Sequence, residues 1–401
     1  VLTRDADIRE LFCELVAIPS PSGRERVLGE QIAAWLDAAG VRARFDDSGP
    51  RNRSDAGNLI AAVPGAPERP TLLFVAHMDT VESGGEAVRP VQDGGVIRSA
   101  GETILGADNK SAVAAVMRTC VAAQRLPVDR RPTVVAAFTS REESGRMGAS
   151  LLDLASLGID CAFCVDGSQP IGTVITRALG QTTFVAAIHG RAAHAAAAPE
   201  TGIDAIAIAA EVIAALPLGG RPGGASAGVA AIVGGSIIAR LDSGAATPPV
   251  IEALTGAPTN SVPDLAYVRG EVRGYTVAEI EDATATIERA FRRACDERGA
   301  TLEWIRDRER MVPPLPGAAD SRALALVRAA ADGLDGLTLD LQEARATLEA
   351  NYLAADVDVV AVASGGRGAH QTSESIAVAE LAQLEVLLTR IVELAGESVS
   401  G

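Results

Sequence analysis

TLLFVAHMDT, residues 71–80, is apolar without a break from Leu72 to Ala76 and turns polar at His77 and Asp79. A strand with one wet face would alternate, so a short unbroken run predicts a strand buried on both faces of a largely parallel sheet. Its polar end predicts the mouth of a site, because open α/β sheets bind ligands outside the carboxyl ends of their strands. The pattern recurs. PTVVAAFTS at 132–140 and CAFCVDG at 161–167 read as further buried strands, with a helix in GADNKSAVAAVMRTCVAAQ starting near Asp108 and another in MGASLLDLASLG. After MVPPLPG at 311–317 come the helix RALALVRAAADGL, the strand VDVVAVA and a closing helix AVAELAQLEVLLTRIVELA. This βαβ order predicts an α/β fold whose mixed sheet carries helices on both faces. From Thr182 the texture shifts to hairpin-like strands and two helices, which predicts a smaller α+β domain inserted into the larger one. The expected parts are 1–176, 177–311 and 312–401.

The chain has 401 residues, 48% of them hydrophobic, 22% charged and 3% aromatic, so Ala, Val, Leu and Ile must fill its cores. A formal net charge of −16, with no basic block, argues against nucleic acid and anionic membrane surfaces as partners. No apolar run is long enough to span a bilayer, and VLTRDADIRELF carries charges where a signal peptide needs its apolar stretch, so a soluble, cytoplasmic protein is expected. Cys161 and Cys164 form a CxxC, but they sit in a strand-like apolar run without a second Cys pair; buried, reduced thiols are the expectation.

The chemistry-bearing residues cluster at strand ends. His77 and Asp79, two apart on a strand, point to one face and can serve one metal cluster, although an HxD can also be ordinary surface polarity. Asp108 stands where a helix begins and fits either an N-cap or a carboxylate ligand. Adjacent Glu142 and Glu143 diverge, so one can bind metal while the other faces a water; a plain acidic turn is the alternative. Asp166 precedes Gly167 as a ligand or as a turn former. Only four histidines exist, at 77, 189, 194 and 370, and His370 lies in the Gly-rich SGGRGAHQTSESI, whose backbone can deliver an imidazole. SGGRG and IVGG match neither the dinucleotide nor the phosphate-loop spacing, so nucleotide binding has little support.

In order along the chain stand IPSPSG, GNLIA, AHMDTVE, TILGADNKSAVAAV, REESGRMGA, VDG, GRAAHAAAAPETGIDAI, IVGG, TNSVPDLA, GEVRG and HQTSESI. This series resembles the M20 family of metallopeptidases, and within it the peptidase T-like branch. The resemblance implies two divalent metals, zinc first, with manganese or cobalt also compatible. It implies that Asp108 bridges them, that His77 and Asp166 hold one and that Glu143 and His370 hold the other. Asp79 would support His77, and Glu142 would be the general base. The inserted domain would be a lid and a dimerisation domain that brings His194 to the oxyanion, with Asn260 and Arg273 contacting substrate, and the larger domain would be catalytic. His189 has no matching role and is expected to be structural.

Three features depart from the family pattern. The segment SIIARLDSGAATPPVIEALTGAP, 236–258, is an addition ahead of Asn260; Arg141 replaces a Gln; ATLEANYL stands where Gly-Gly-Ser-Asp-Ala-Asn is common, keeping only Ala350 and Asn351. The expected activity is hydrolysis of short peptides, aminopeptidase- or tripeptidase-like, with an amidase or deacylase of N-acyl amino acids as the alternative. A non-catalytic metal-binding scaffold is the third reading.

Overall fold

The computed structural model describes residues 7–82, 87–216, 260–306, 311–317 and 321–397, together with the strand Ser226–Gly234. The added segment 236–258 and the Gly/Pro-rich stretch at 219–224 lie outside the described residues. Two compact units divide the chain, Val1–Ala178 with Leu315–Gly401, and Leu179–Pro314.

The larger unit is built on an eight-stranded mixed sheet. Its order is Arg42–Phe45, Leu59–Val63, Thr133–Thr139, Thr71–His77, Cys161–Val165, Asp358–Val362, Thr173–Ala178 and Asp340–Ala344. The third to sixth of these are mutually parallel, and each flank adds an antiparallel neighbour. The apolar run sits at the middle for the reason its composition gives. Leu72, Phe74 and Ala76 enter one core with the long helices Ala107–Arg125 and Val378–Glu397, while Leu73 and Val75 enter a second core with Leu154, Ala350 and Leu353 from short helical turns. Phe74 also stacks on Phe163 of the next strand, ring centroids 5.0 Å apart. Cys161 and Cys164, three apart on one strand, fall into opposite cores, and all five cysteines are free.

The expected helix in MGASLLDLASLG is broken in two. A 3-10 turn at Ala149–Leu151 precedes the short helix Leu154–Leu157, because the Asp153 side chain accepts the Ser156 amide and restarts the helix there. A separate three-stranded sheet, Ser375–Ala377 with Val96–Ser99 and Pro90–Asp93, was not read from the sequence.

The smaller unit has a four-stranded antiparallel sheet, ordered Ser226–Gly234, Leu265–Gly274, Gly180–His189 and Thr301–Ile305. The helices Ala205–Ala215 and Val277–Arg298 pack on it through Ile208, Val212, Ile280, Ile287 and Phe291. A capping box between Thr276 and Glu279 starts the longer helix, and Gly299 at φ 69° ends it.

Candidate metal centre

The four central parallel strands all end on the same edge, so their outgoing loops converge. Thr71–His77 delivers His77 and Asp79, Thr133–Thr139 leads to Glu142 and Glu143, and Cys161–Val165 leads to Asp166. Asp358–Val362 runs into the loop that carries His370. That loop turns through Gly365, Gly366 and Gly368, all at positive φ, and His370 itself sits at φ 66°.

Asp108 is not a helix cap. It lies inside Ala107–Arg125 with non-helical φ −80° and ψ 102°, and no side-chain cap bond forms there. Its carboxylate faces two histidines instead, with Oδ1 3.3 Å from His77 Nε2 and Oδ2 3.7 Å from His370 Nε2. Asp166 Oδ1 lies 3.7 Å from His77 Nε2, and Glu143 Oε1 lies 2.8 Å from His370 Nε2. Among the described residues, His77, Asp108 and Glu143 offer ligand atoms all within 4.8 Å of one another.

Asp79 serves more than His77. The imidazole Nδ1 is 2.9 Å from the Asp79 backbone carbonyl and 3.5 Å from its carboxylate. The carboxylate itself accepts the amide hydrogens of Glu142 and Glu143, at 2.9 and 3.1 Å, and the Ser22 hydroxyl. It therefore fixes the turn on which both glutamates sit.

The electrostatics favour a bound cation. Asp108 Oδ1 is buried yet has no partner in hydrogen-bonding geometry, which is costly for a carboxylate oxygen unless a cation meets it. Burial alone would lower His77, but contacts with Asp108, Asp166 and Asp79 hold it well above its ordinary range. Burial pushes Glu142 up to about 9, with Asp166 and Glu349 adding to the shift and His77 and Arg146 opposing it. Glu143 is raised by burial and by Asp108. Imidazoles and carboxylates crowded this closely fit a divalent metal, whose charge would stand in for the protons that His77 and Glu143 hold more tightly than usual.

Several contributors carried no assignment in the sequence reading. The Glu374 carboxylate accepts the Gly106 amide at 2.6 Å and the Asp108 amide at 2.9 Å, so it holds the turn that presents Asp108. Glu349 is fully buried, with Oε2 accepting the Thr139 hydroxyl and Oε1 unpartnered. Arg146 lies 3.2 Å from Glu142 Oε1. Arg141, one of the departures, donates to the Asn52 carbonyl and to the Ser144 hydroxyl.

In the smaller unit, His194 is exposed and its Nδ1 accepts the amides of Ala196 and Ala197, so the neutral ring carries its proton on Nε2. The Asn260 carbonyl accepts the Ala195 amide, placing Asn260 beside that turn. Arg273 Nε donates to Glu271 at 2.9 Å. His189 ends a strand, 3.7 Å from Glu303.

Comparison with known proteins places the chain in a family. The model of peptidase family M20/M25/M40 matches residues 73–394. The uncharacterized protein YqjE of Bacillus subtilis is 28% identical over 397 residues, 99% of this chain and 100% of that one. The crystal structure of aminopeptidase PepT from Bacillus cereus superposes with a TM-score of 0.85 at 28% identity, covering 98% of this chain and 99% of that one. A tripeptidase from Staphylococcus aureus gives a TM-score of 0.83 at 25% identity, covering 98% of both chains.

Proposed function

Because the chain belongs to peptidase family M20/M25/M40, we propose that it hydrolyses a peptide bond in short peptides, as an aminopeptidase or tripeptidase using two divalent metal ions. The observation that carries the two-metal reading is the divided posture of Asp108. Its two oxygens face different histidines, and each histidine meets a further carboxylate, Asp166 on one side and Glu143 on the other. One ion would be held by His77, Asp166 and Asp108, the other by Glu143, His370 and Asp108. Zinc, manganese and cobalt all suit this donor set.

When bound, the ions supply Lewis-acid charge and lower the pKa of water. The rest falls to side chains. Glu142 takes the proton of the attacking water and returns it to the leaving amine, and its burial suits it to hold that proton in between. Asp79 keeps Glu142 and Glu143 in register by holding their amides. His194, as an Nε2–H donor from the 177–311 lid, would stabilise the oxyanion, in its own subunit or across a homodimer. Asn260 and Arg273 would bind the substrate, Arg273 through a carboxylate. The cytoplasm is the compartment this reading assigns; among the described residues no helix is long and apolar enough to cross a membrane.

The altered 346–351 segment lies beside Glu142 through Arg146 and Thr347, which keeps N-acyl amino acids in the comparison. The test is elemental analysis of the purified protein and of Glu142→Gln, with turnover of di- and tripeptides against N-acyl amino acids. Two metals per chain, tripeptide cleavage, and a Glu142→Gln loss of about 100-fold or more with metal retained are expected. Cleavage of acyl amino acids alone would replace the peptidase by a deacylase. A metal-free chain, or a Glu142→Gln variant with full turnover, would remove the reading altogether.

A further inference from the structure

Arg146 is four residues past Glu142 in a turn closed by the Gly145 and Arg146 amides on the Glu142 carbonyl, at 3.0 and 2.8 Å. It adopts φ 59°, a left-handed conformation that a long side chain rarely takes and that clusters at functional sites. From there its Nε–H donates to the Thr347 carbonyl at 3.0 Å while the same nitrogen stands 3.2 Å from Glu142 Oε1. Both side chains of this pair are largely shielded, 28% and 11% exposed, so their attraction is less screened than that of a surface ion pair.

The far end of the contact is buried and hydrogen-bonded. Thr347, Glu349 and Asn351 are buried, the Leu348 amide donates to the Asn351 side chain, and Glu349 accepts from Thr139. Thr139 is the strand residue paired with His77, three positions before Glu142. The 347–351 segment therefore grips both ends of the path to the glutamate: Thr139 before it through Glu349, and Arg146 after it through the Thr347 carbonyl.

We propose that Arg146 is a positioning residue for the hydrolytic base, holding the Glu142 carboxylate in place by its charge and anchoring it to the buried Thr347 carbonyl. The inference rests on the hydrolase reading above. It makes the 347–351 segment a determinant of turnover. A guanidinium is suited to the task because it can donate to a fixed carbonyl and remain charged toward a carboxylate.

The test uses the metal-loaded full chain. Arg146→Ala is expected to lower kcat by about tenfold to hundredfold, the scale of a misplaced reacting group, with KM within about twofold and metal content unchanged. Methylguanidinium added at millimolar concentration is expected to restore part of kcat to Arg146→Ala and to leave the unaltered chain unaffected, a response that loss of a purely structural staple would not give. An unchanged kcat, or a rise in KM alone, overturns the assignment. A second measurement needs no turnover: a double-mutant cycle of Arg146→Ala and Glu142→Gln on the folding equilibrium. Non-additivity of about threefold or more supports the pair, and additivity overturns it. If the unaltered chain cleaves no peptide or amide, the hydrolase reading itself falls, and the cycle still reports on the contact separately.

Discussion

At the scale of single residues, Asp79 and Glu349 show how buried carboxylates divide the work. Asp79 accepts two backbone amides and a hydroxyl; against its burial, His77 first, then the Ser22 hydroxyl and the Glu142 amide, hold its carboxyl below the usual range. Asp79→Asn preserves size but turns one acceptor oxygen into an NH2 group aimed at N–H donors. At least one buried amide then loses its partner, at about 1–3 kcal/mol. A urea titration is expected to show that loss, accompanied by a fall in turnover; an Asp79→Asn protein of unchanged stability would refute it. Glu349 is the opposite case. Burial, with Asp166 and Asp79 adding to it, pushes its carboxyl from 4.5 up to about 7, against His77 and the Thr139 hydrogen bond. Between those two values the native chain keeps a proton that the unfolded chain has released, so stability falls as pH rises through the window. The full penalty, on the order of 3 kcal/mol, stands above it. In chelator-treated protein, Glu349→Gln should therefore gain on the unaltered chain as the pH climbs from 4.5 to 7. A stability difference that ignores pH would mean that Glu349 is ionised throughout.

At the scale of elements, one contact ties the closing segment of the larger unit to the start of a helix far back in the chain. Glu374 precedes the strand Ser375–Ala377, and its two oxygens take the amides of Gly106 and Asp108. Glu374→Gln should leave the fold intact while weakening metal retention by about 10- to 100-fold, as losses of such supporting partners do. Competition against a graded chelator measures it, and unchanged retention would show that Asp108 is held by its own backbone alone. This contact also marks where the sequence stopped being legible. The central strands were readable because burial on both faces leaves an apolar run with a polar end, and His77, Asp79, Glu142, Glu143 and Asp166 stood out because they follow those ends; their roles, and those of Asp108 and His370, came only from the resemblance. Glu374 stood within a quoted motif, yet its partner is hundreds of residues away and no local pattern encodes the pairing. The same holds for Asp79, whose grip on Glu142 and Glu143 depends on two parallel strands being neighbours. The strand Asp340–Ala344 escaped for another reason: it is an almost wholly exposed edge with no apolar alternation to read. The hairpin at Asp93–Val96 did leave a signal, because Asp-Gly-Gly between short strands is turn chemistry, and Gly94 and Gly95 both adopt positive φ.

At the scale of the whole molecule, the cores are partitioned by unit. Among the described residues, the core of the smaller unit draws only on Leu179–Pro314, and the two cores of the larger unit draw none from it. A chain built this way need not unfold in a single step. The two tryptophans report on it separately, since Trp35 packs against the core of the larger unit and Trp304 stacks on Phe184 in the smaller, ring centroids 4.7 Å apart. The His77, Asp108 and Glu143 cluster lies wholly in the larger unit. Metal bound there stabilises the state that forms the site by about 2.7 kcal/mol when free metal exceeds Kd a hundredfold. Thermal unfolding followed by fluorescence should therefore respond to a chelator in Trp304→Phe, where Trp35 is the reporter, with the midpoint falling by several degrees. In Trp35→Phe, where Trp304 reports, the midpoint should hold. Equal shifts in both variants would mean that the units melt as one cooperative body, and metal would then stabilise the smaller unit as well as the one that binds it.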